Sequence, residues 1–252
     1  MQRGKNGDVL LLDLSEEKLN KLAEELGEGA IAMKFDITNE EDIRKVVEVV
    51  KEYGSFKALL HFAGVSEHMG NAEKIFDINL LGTINLLDAL YDYAKEGTVI
   101  VNTASMAAYS TAPTEESAKI LAGIIDENAN TELKKVCGEN PYNAYGWSKK
   151  AVIELTRQSC LKWGEKGARI VSVSPGVILT DMVRHELGNG NNDGITALIQ
   201  ASAVKRMGEV ADITNLCEFL CSDKAGFITG TDFLIDGGAN EGFKVAFANF
   251  TK

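Results

Sequence analysis

A chain of 252 residues, 45% hydrophobic and 25% charged, fits one large α/β domain able to bury a substantial core. A formal net charge of −11 argues against a nucleic-acid-binding surface, which needs clustered Lys and Arg, and favours a soluble protein. The longest apolar runs are strand-sized and too short to cross a membrane, and the first residues carry no apolar stretch of signal-peptide type. Cys137, Cys160, Cys217 and Cys221 are scattered, with no Cys-x-x-Cys, which fits reduced thiols in a cytoplasmic protein. His61, His68 and His185 have no metal-ligand spacing, so no metal is expected.

In chain order, residues 8–13 are a short apolar run ending in Asp13, the pattern of a buried parallel strand. Ser15 caps a helix through Leu26, with Glu16 and Glu17 in its first turn. A second strand covers 30–35 and runs into Asp36, Ile37 and Thr38. A helix starts at Thr38 or Asn39 and stops at Gly54. A third strand, 56–62, leads into Ala63 and Gly64, and a polar loop reaches Gly70. One long helix is expected over 72–94 and a strand over 98–103, followed by Ser105. Residues 106–141 break the rhythm; they are helical by propensity from about 115 to 136, and Pro141 closes them.

Residues 143–163 read as an amphipathic helix. A strand over 168–174 ends at Pro175 and Gly176. A polar, glycine-containing segment over 189–194 precedes helices at 195–203 and 210–222. The last strand, 233–235, ends in Asp236, Gly237 and Gly238. Strands alternating with helices predict a doubly wound parallel sheet, in which ligands bind beyond the carboxyl ends of the strands. No domain boundary, repeat or low-complexity linker interrupts residues 1–252.

The helix at 143–163 carries Tyr145 and Lys149, four apart and so on one face. A phenol titrates near ~10, too high to exchange protons at neutral pH, and a cation beside it favours the phenolate. The pair can therefore act as a general acid/base with its own activator. The spacing alone is weak, since such pairs also occur on solvated helix faces.

The strand-end residues lift it. Asp13, Asp36, Ala63-Gly64, Asn79, Ser105, Tyr145 with Lys149, Pro175-Gly176 with Thr180, and Asp236-Gly237-Gly238 occur in an order that resembles the short-chain dehydrogenase/reductase family. The likeness covers roughly residues 8–238. It implies a Rossmann-like doubly wound sheet and transfer of a hydride between NAD(H) and a secondary alcohol or ketone. It gives Ser105 the substrate oxygen, Tyr145 the exchanged proton, and Lys149 the nicotinamide ribose and the activation of Tyr145. Asn79 takes a helix kink and a proton-relaying water. Asp13 receives the adenosine ribose hydroxyls and repels a 2′-phosphate, which favours NAD over NADP. Asp36 and Ile37 meet the adenine, Ala63 and Gly64 allow close approach of the cofactor, and Pro175, Gly176, Val177 and Thr180 clasp the carboxamide. A homodimer or tetramer is implied as well.

Three departures stand out. The family's Gly-rich pyrophosphate turn is absent, with the first strand and helix around it, on the order of 25–30 residues. The expectation is an N-terminally truncated domain, with the absent strand in mid-sheet between 8–13 and 56–62. Its loss would leave apolar faces and unpaired backbone groups. His61 and Phe62 stand where the family has Asn, and His61 reads as structural rather than catalytic. The long 106–141 insertion resembles the 3α-hydroxysteroid dehydrogenase/carbonyl reductase branch. It is expected to reshape the oligomer interface and cover part of the substrate entrance, and the branch suggests a hydroxysteroid substrate. The region 182–203, with Gly188, Gly190 and Gly194, reads as a loop suited to closing over substrate. Two other readings remain. A cofactor-impaired homologue could act as a non-catalytic binding or regulatory protein. A nucleotide-sugar epimerase shares the Tyr-Lys pair, but the compact C-terminal part argues against it.

Overall fold

The computed structural model describes residues 8–126, 128–188 and 192–250. Its elements run β1 (Val9–Asp13), α1 (Glu16–Leu26), β2 (Ala30–Lys34), α2 (Glu40–Tyr53), β3 (Ala58–His61), α3 (Ala72–Phe76), α4 (Gly82–Leu90) and β4 (Val99–Thr103). After β4 come α5 (Ala107–Ser110), α6 (Glu115–Ala122), α7 (Ala129–Cys137) and α8 (Pro141–Gly164). The chain ends in β5 (Arg169–Pro175), α9 (Asp181–Gly188), α10 (Asn192–Ala201), α11 (Val210–Leu220), β6 (Asp232–Ile235) and α12 (Ala239–Phe250). Every strand pairing is parallel. The alternation of strand and helix therefore builds the Rossmann-like α/β architecture that the pattern predicts.

The strands fall into two sheets. β1 pairs with β2, and β3, β4, β5 and β6 pair in that order. Among the described residues no strand bridges β1 and β3, which is where the sequence places the absent strand. Residues 99–102 of β4 and 170–174 of β5 are buried, whereas β1 and β2 are only half-buried and end exposed. The buried strand expected at 8–13 is thus present but open on one side.

Alternation along β4 and β5 sorts the core into two layers. Ile100 and Ile170 point into the cluster with Ile75, Phe76, Leu80, Val152 and Trp163. Val99, Val101, Val171 and Val173 point the other way, onto Ile213, Cys217 and Leu220 of α11. A third cluster joins Phe35, Ile37, Ile43, Val46, Leu86 and Leu90 with Leu10, Leu12 and Leu59. Apolar packing therefore holds the two sheets together where hydrogen bonding does not.

Several boundaries differ from expectation for local reasons. The helix expected over 72–94 is broken by a π-helical turn, Asp77–Leu81, and finishes in a 3₁₀ turn, Tyr91–Tyr93. Pro141 opens α8 rather than closing the insertion: Asn140 caps it through Tyr142 N–H at 2.9 Å, and Pro occupies the first turn, where its missing N–H costs nothing. The insertion, expected to be partly helical from about 115 to 136, holds α6 and α7 over that stretch and the short α5 before it. Of the region 182–203, the helix expected at 195–203 forms as α10 and starts earlier, at Asn192, and residues up to Gly188 form α9 rather than a loop; residues 189–191 lie outside the described residues. The aromatic tail forms α12, which packs on α10 so closely that a Cβ at Gly242 would meet the Ala201 carbonyl.

Candidate active site

The site gathers where the C-terminal ends of β3, β4 and β5 meet the first turns of α8. Tyr145 and Lys149 lie one turn apart, and the Lys149 amine stands 5.9 Å from the Tyr145 ring centre. Lys149 is 5% exposed. Its amine donates to the Thr103 carbonyl at 3.0 Å, at the end of β4. Burial pulls its pKa from the usual 10.5 down to about 8. A Cβ placed on Gly64 would lie 3.1 Å from both the Lys149 amine and Asn79 Oδ1, so any side chain here would press on both groups.

Asn79 sits in the π turn and is 1% exposed, so it faces the interior rather than solvent. Its Oδ1 accepts from Val65 N–H at 2.9 Å, and its amide donates to the Val65 carbonyl at 3.0 Å and to Ser148 Oγ at 3.2 Å. Ser148 Oγ in turn donates to the Tyr145 carbonyl at 2.9 Å. Asn79 thus clamps the loop after β3 to the turn of α8 that presents Tyr145.

Ser105 follows β4, 8% exposed, and its hydroxyl accepts from Ala107 N–H at 3.2 Å. The adjoining N–H groups extend the pairing with β5: Ala104 donates to the Val173 carbonyl at 2.8 Å and Met106 to that of Pro175 at 2.9 Å. The turn after Ser105 packs on α8 around the Tyr-Lys pair. Lys150 Nζ donates to the Ala108 carbonyl at 3.1 Å, and a Cβ at Gly146 would strike Thr111 Oγ1.

Pro175 closes β5. Gly176 donates to the Ile235 carbonyl at 3.0 Å, and a Cβ on it would lie 2.7 Å from Asp236 Cα, so its smallness serves the β5–β6 contact. The Val177 carbonyl accepts from Gly208 N–H at 2.8 Å, and Thr180 receives Val183 N–H on its Oγ1 at 3.4 Å as α9 begins. The Thr103 and Ser174 hydroxyls are buried at these strand ends without a hydrogen-bond partner. A small depression of about 360 Å³ lies instead on the insertion, around Ile120, Gly123, Asp126 and Glu132, away from every residue named for catalysis.

Asp13, Asp36 and Ile37 stand apart, in the two-stranded sheet and the loop after it. Asp13 is exposed at the end of β1, and its Oδ1 accepts from Ser15 N–H at 2.8 Å. Asp36 accepts from the Thr38 backbone at 2.9 Å and hydroxyl at 2.7 Å. The Ile37 side chain is a core residue, packed against Gly82 rather than open to an adenine ring. Ala63 is exposed beside Gly64.

Sequence reading placed His61 as structural and left its partner open. The structure buries it with Nε2 2.8 Å from Thr83 Oγ1, and burial together with the nearby Lys149 charge holds its pKa down to about 4. Thr83, missed at the sequence level, reads there as an ordinary mid-helix residue.

The nicotinamide-ribose side of a dinucleotide fits this set: a buried amine and a phenol lie one helical turn apart at the end of β4. The diphosphate has no comparable cradle among the described residues. The helix after β1 opens with Glu16 and Glu17, whose charge opposes a phosphate at that N-terminus.

Residues 3–117 match the family described as short chain dehydrogenase. Residues 131–240 match the family described as Enoyl-(Acyl carrier protein) reductase. The chain is 28% identical over 244 residues to an NAD-dependent glycerol dehydrogenase of Listeria innocua, covering 93% of this chain and 84% of the relative. It is 28% identical over 247 residues to 3beta-hydroxysteroid dehydrogenase 2 of Eggerthella lenta, covering 91% and 84%. A solved structure described as a short-chain dehydrogenase/reductase, glucose/ribitol dehydrogenase, of Brucella melitensis superposes with a TM-score of 0.72 at 28% identity, over 92% of this chain and 86% of that one.

Proposed function

We propose that this chain, which belongs to the short-chain dehydrogenase/reductase family of oxidoreductases, interconverts secondary alcohols and ketones with NAD(H). The observation that carries the reading is the Lys149 amine, buried beside the Tyr145 ring and against Gly64 and Asn79. A structural scaffold gains nothing from a buried lysine, whose desolvation costs stability.

Ser105 and Tyr145 hold the substrate oxygen. Tyr145 gives its proton to that oxygen in reduction and takes it in oxidation. Lys149 holds the ribose hydroxyls and favours the phenolate. Asn79 keeps the loop after β3 and α8 in register and passes protons outward from Lys149. Pro175, Gly176, Val177 and Thr180 position the carboxamide; Asp13 meets the adenosine ribose, with Asp36 and the Ile37 backbone near the adenine. Bound NAD(H) supplies or accepts the hydride. A hydroxysteroid is the first substrate class to test; the likeness to a hydroxysteroid dehydrogenase supports it. A cytoplasmic homodimer or tetramer completes the proposal; no helix among the described residues is long and apolar enough to cross a membrane.

The test is a panel of secondary alcohols, hydroxysteroids included, assayed with NAD and NADP by NADH absorbance, with Tyr145→Phe as control. Turnover with NAD that falls about 10²–10⁴-fold in Tyr145→Phe is expected. No turnover on any member, with no NADH binding by fluorescence, refutes the proposal.

One observation favours a second reading. The unbridged β1 and β3 edges and the acidic start of α1 fit a cofactor-impaired homologue acting as a binding protein. NADH binding separates the two: tight binding excludes the second reading.

A further inference from the structure

His61 lies outside every role assigned above, yet it is buried within reach of the site. Its Nε2 is 2.8 Å from Thr83 Oγ1, and Thr83 Oγ1 donates to the Asn79 carbonyl at 2.8 Å. A hydroxyl has one proton. Since Thr83 spends it on Asn79, its oxygen accepts from His61, and the ring must carry its proton on Nε2. The chain of bonds therefore runs in one direction, from His61 through Thr83 to the backbone of Asn79. From there the Asn79 side chain reaches Val65 and Ser148, and Ser148 reaches Tyr145.

These bonds meet at the π turn. Asn79 lies inside it, between Asp77 and Leu81, and Thr83 Oγ1 ties its carbonyl to the following helical turn. His61 fixes which way that hydroxyl points.

We infer that His61 is a positioning residue: as a neutral Nε2–H donor it orients the Thr83 hydroxyl onto the Asn79 carbonyl, and so holds the π turn that sets Asn79 between the loop after β3 and α8. The inference rests on the reading of Asn79 and Lys149 as parts of an active site, and it adds a residue to that reading. A neutral ring suits the place. Burial and the Lys149 charge keep His61 unprotonated at working pH, so it donates one hydrogen bond without adding a second cation beside that amine.

Two arms test it. The first needs no activity. The ¹⁵N shifts of the imidazole in the wild-type chain should report the Nε2–H tautomer between pH 6 and 8. The Asn79 side-chain amide should exchange about tenfold faster in His61→Phe and Thr83→Val than in wild type, with protection restored in His61→Gln, whose amide nitrogen replaces Nε2. An Nδ1–H or charged ring, or unchanged Asn79 exchange, overturns the inference.

The second arm is kinetic. His61→Phe and Thr83→Val should each lower kcat about tenfold with KM values for alcohol and NAD within about twofold, and His61→Gln should recover most of the loss. The double variant should lose no more than either single one, because both break the same chain. Losses that add, that fall on KM alone, or that His61→Gln fails to restore while melting stays native overturn it. If the wild-type chain turns over no alcohol, the oxidoreductase reading fails, and the ¹⁵N and exchange arm still decides the role of His61.

Discussion

Replacing Lys149 with Met should stabilise the protein at neutral pH while removing its activity. The amine is buried and its pKa falls from 10.5 to about 8 because burial disfavours the charged form. At ~1.4 kcal/mol per pH unit, the charge costs the folded state about 3 kcal/mol wherever both folded and unfolded chains are protonated, that is, below about pH 8. Between pH 8 and 10.5 the unfolded chain binds more protons than the folded one, so wild-type stability rises with pH across that window. Met fills a similar volume without charge, but it abandons the 3.0 Å bond to the Thr103 carbonyl, a loss of about 1–2 kcal/mol. The variant should therefore be more stable by about 1–2 kcal/mol at pH 7, or about 2–8 °C in Tm for a chain of this size. The difference should shrink above pH 8 and reverse by pH 10.5. Urea titrations of both proteins from pH 6.5 to 10.5 measure it. A constant difference across the series would refute the reasoning, since it would mean that Lys149 titrates alike in both states. Loss of the ammonium charge above pH 8 should also weaken NAD binding in the wild type over the same window.

Gly64→Ala should cost about tenfold in kcat/KM, because the new methyl presses on two anchored groups at once, Asn79 Oδ1 and Lys149 Nζ, each 3.1 Å away; steady-state kinetics beside a native melting curve check it. Asn79→Ala should lower kcat by about 10–100-fold and Tm by several degrees, since both polar groups of Val65 lose their partner; unchanged kcat would remove Asn79 from the site. Asp13→Ala should lower the preference for NAD over NADP by at least about tenfold, one charge–hydroxyl interaction's worth, with little effect on folding because the side chain is exposed and bonds only to Ser15 N–H; an unaltered ratio of kcat/KM values would remove Asp13 from cofactor selection.

What the sequence showed, and what it hid, follows from how local each feature is. Strand ends were legible because apolar runs stop abruptly at Asp13, Phe35 and Ser105. Helix caps were legible because Ser15 and Gly54 act within their own turn. The pairing of Tyr145 with Lys149 needs only helical spacing. A kink at Asn79 was implied by the resemblance, but its partners were hidden: the Thr83 hydroxyl comes from the next turn of the same helix and the His61 imidazole from β3. Pro141 misled because proline both ends and begins helices; only the Asn140 cap distinguishes the two. Gly194 suggested a loop, yet it lies within the first turn of α10. Gly64 was read as room for the cofactor, whereas its nearest constraints are Asn79 and Lys149. Small residues at strand ends record close approach, but not what approaches.

The insertion calls for a different experiment from the one its sequence suggests. A graft that only covers a substrate entrance or an interface could be deleted without losing the fold. Here α6, the turn after it and α7 place Leu121, Ile124 and Leu133 in the main core with Ile75, Phe76, Leu80 and Val152. Gln158 donates to the Leu121 carbonyl at 2.6 Å, and Lys134 forms an ion pair with Asp77, the first residue of the π turn. Burying three such side chains contributes about 5–9 kcal/mol, comparable with the whole stability of a domain. Deleting residues 112–138 should therefore yield aggregated protein, which says nothing about interface or entrance. Leu133→Ala should cost about 2–5 kcal/mol, confirming the insertion as core. The interface role is better probed at Ile125, 57% exposed on the same segment. Ile125→Lys should leave stability within about 0.5 kcal/mol, so any fall in molar mass by light scattering reports lost association. An unchanged mass at matched concentration would remove this part of the insertion from the subunit contact and leave its effect on the active site to run inward, through Lys134 and the turn that holds Asn79.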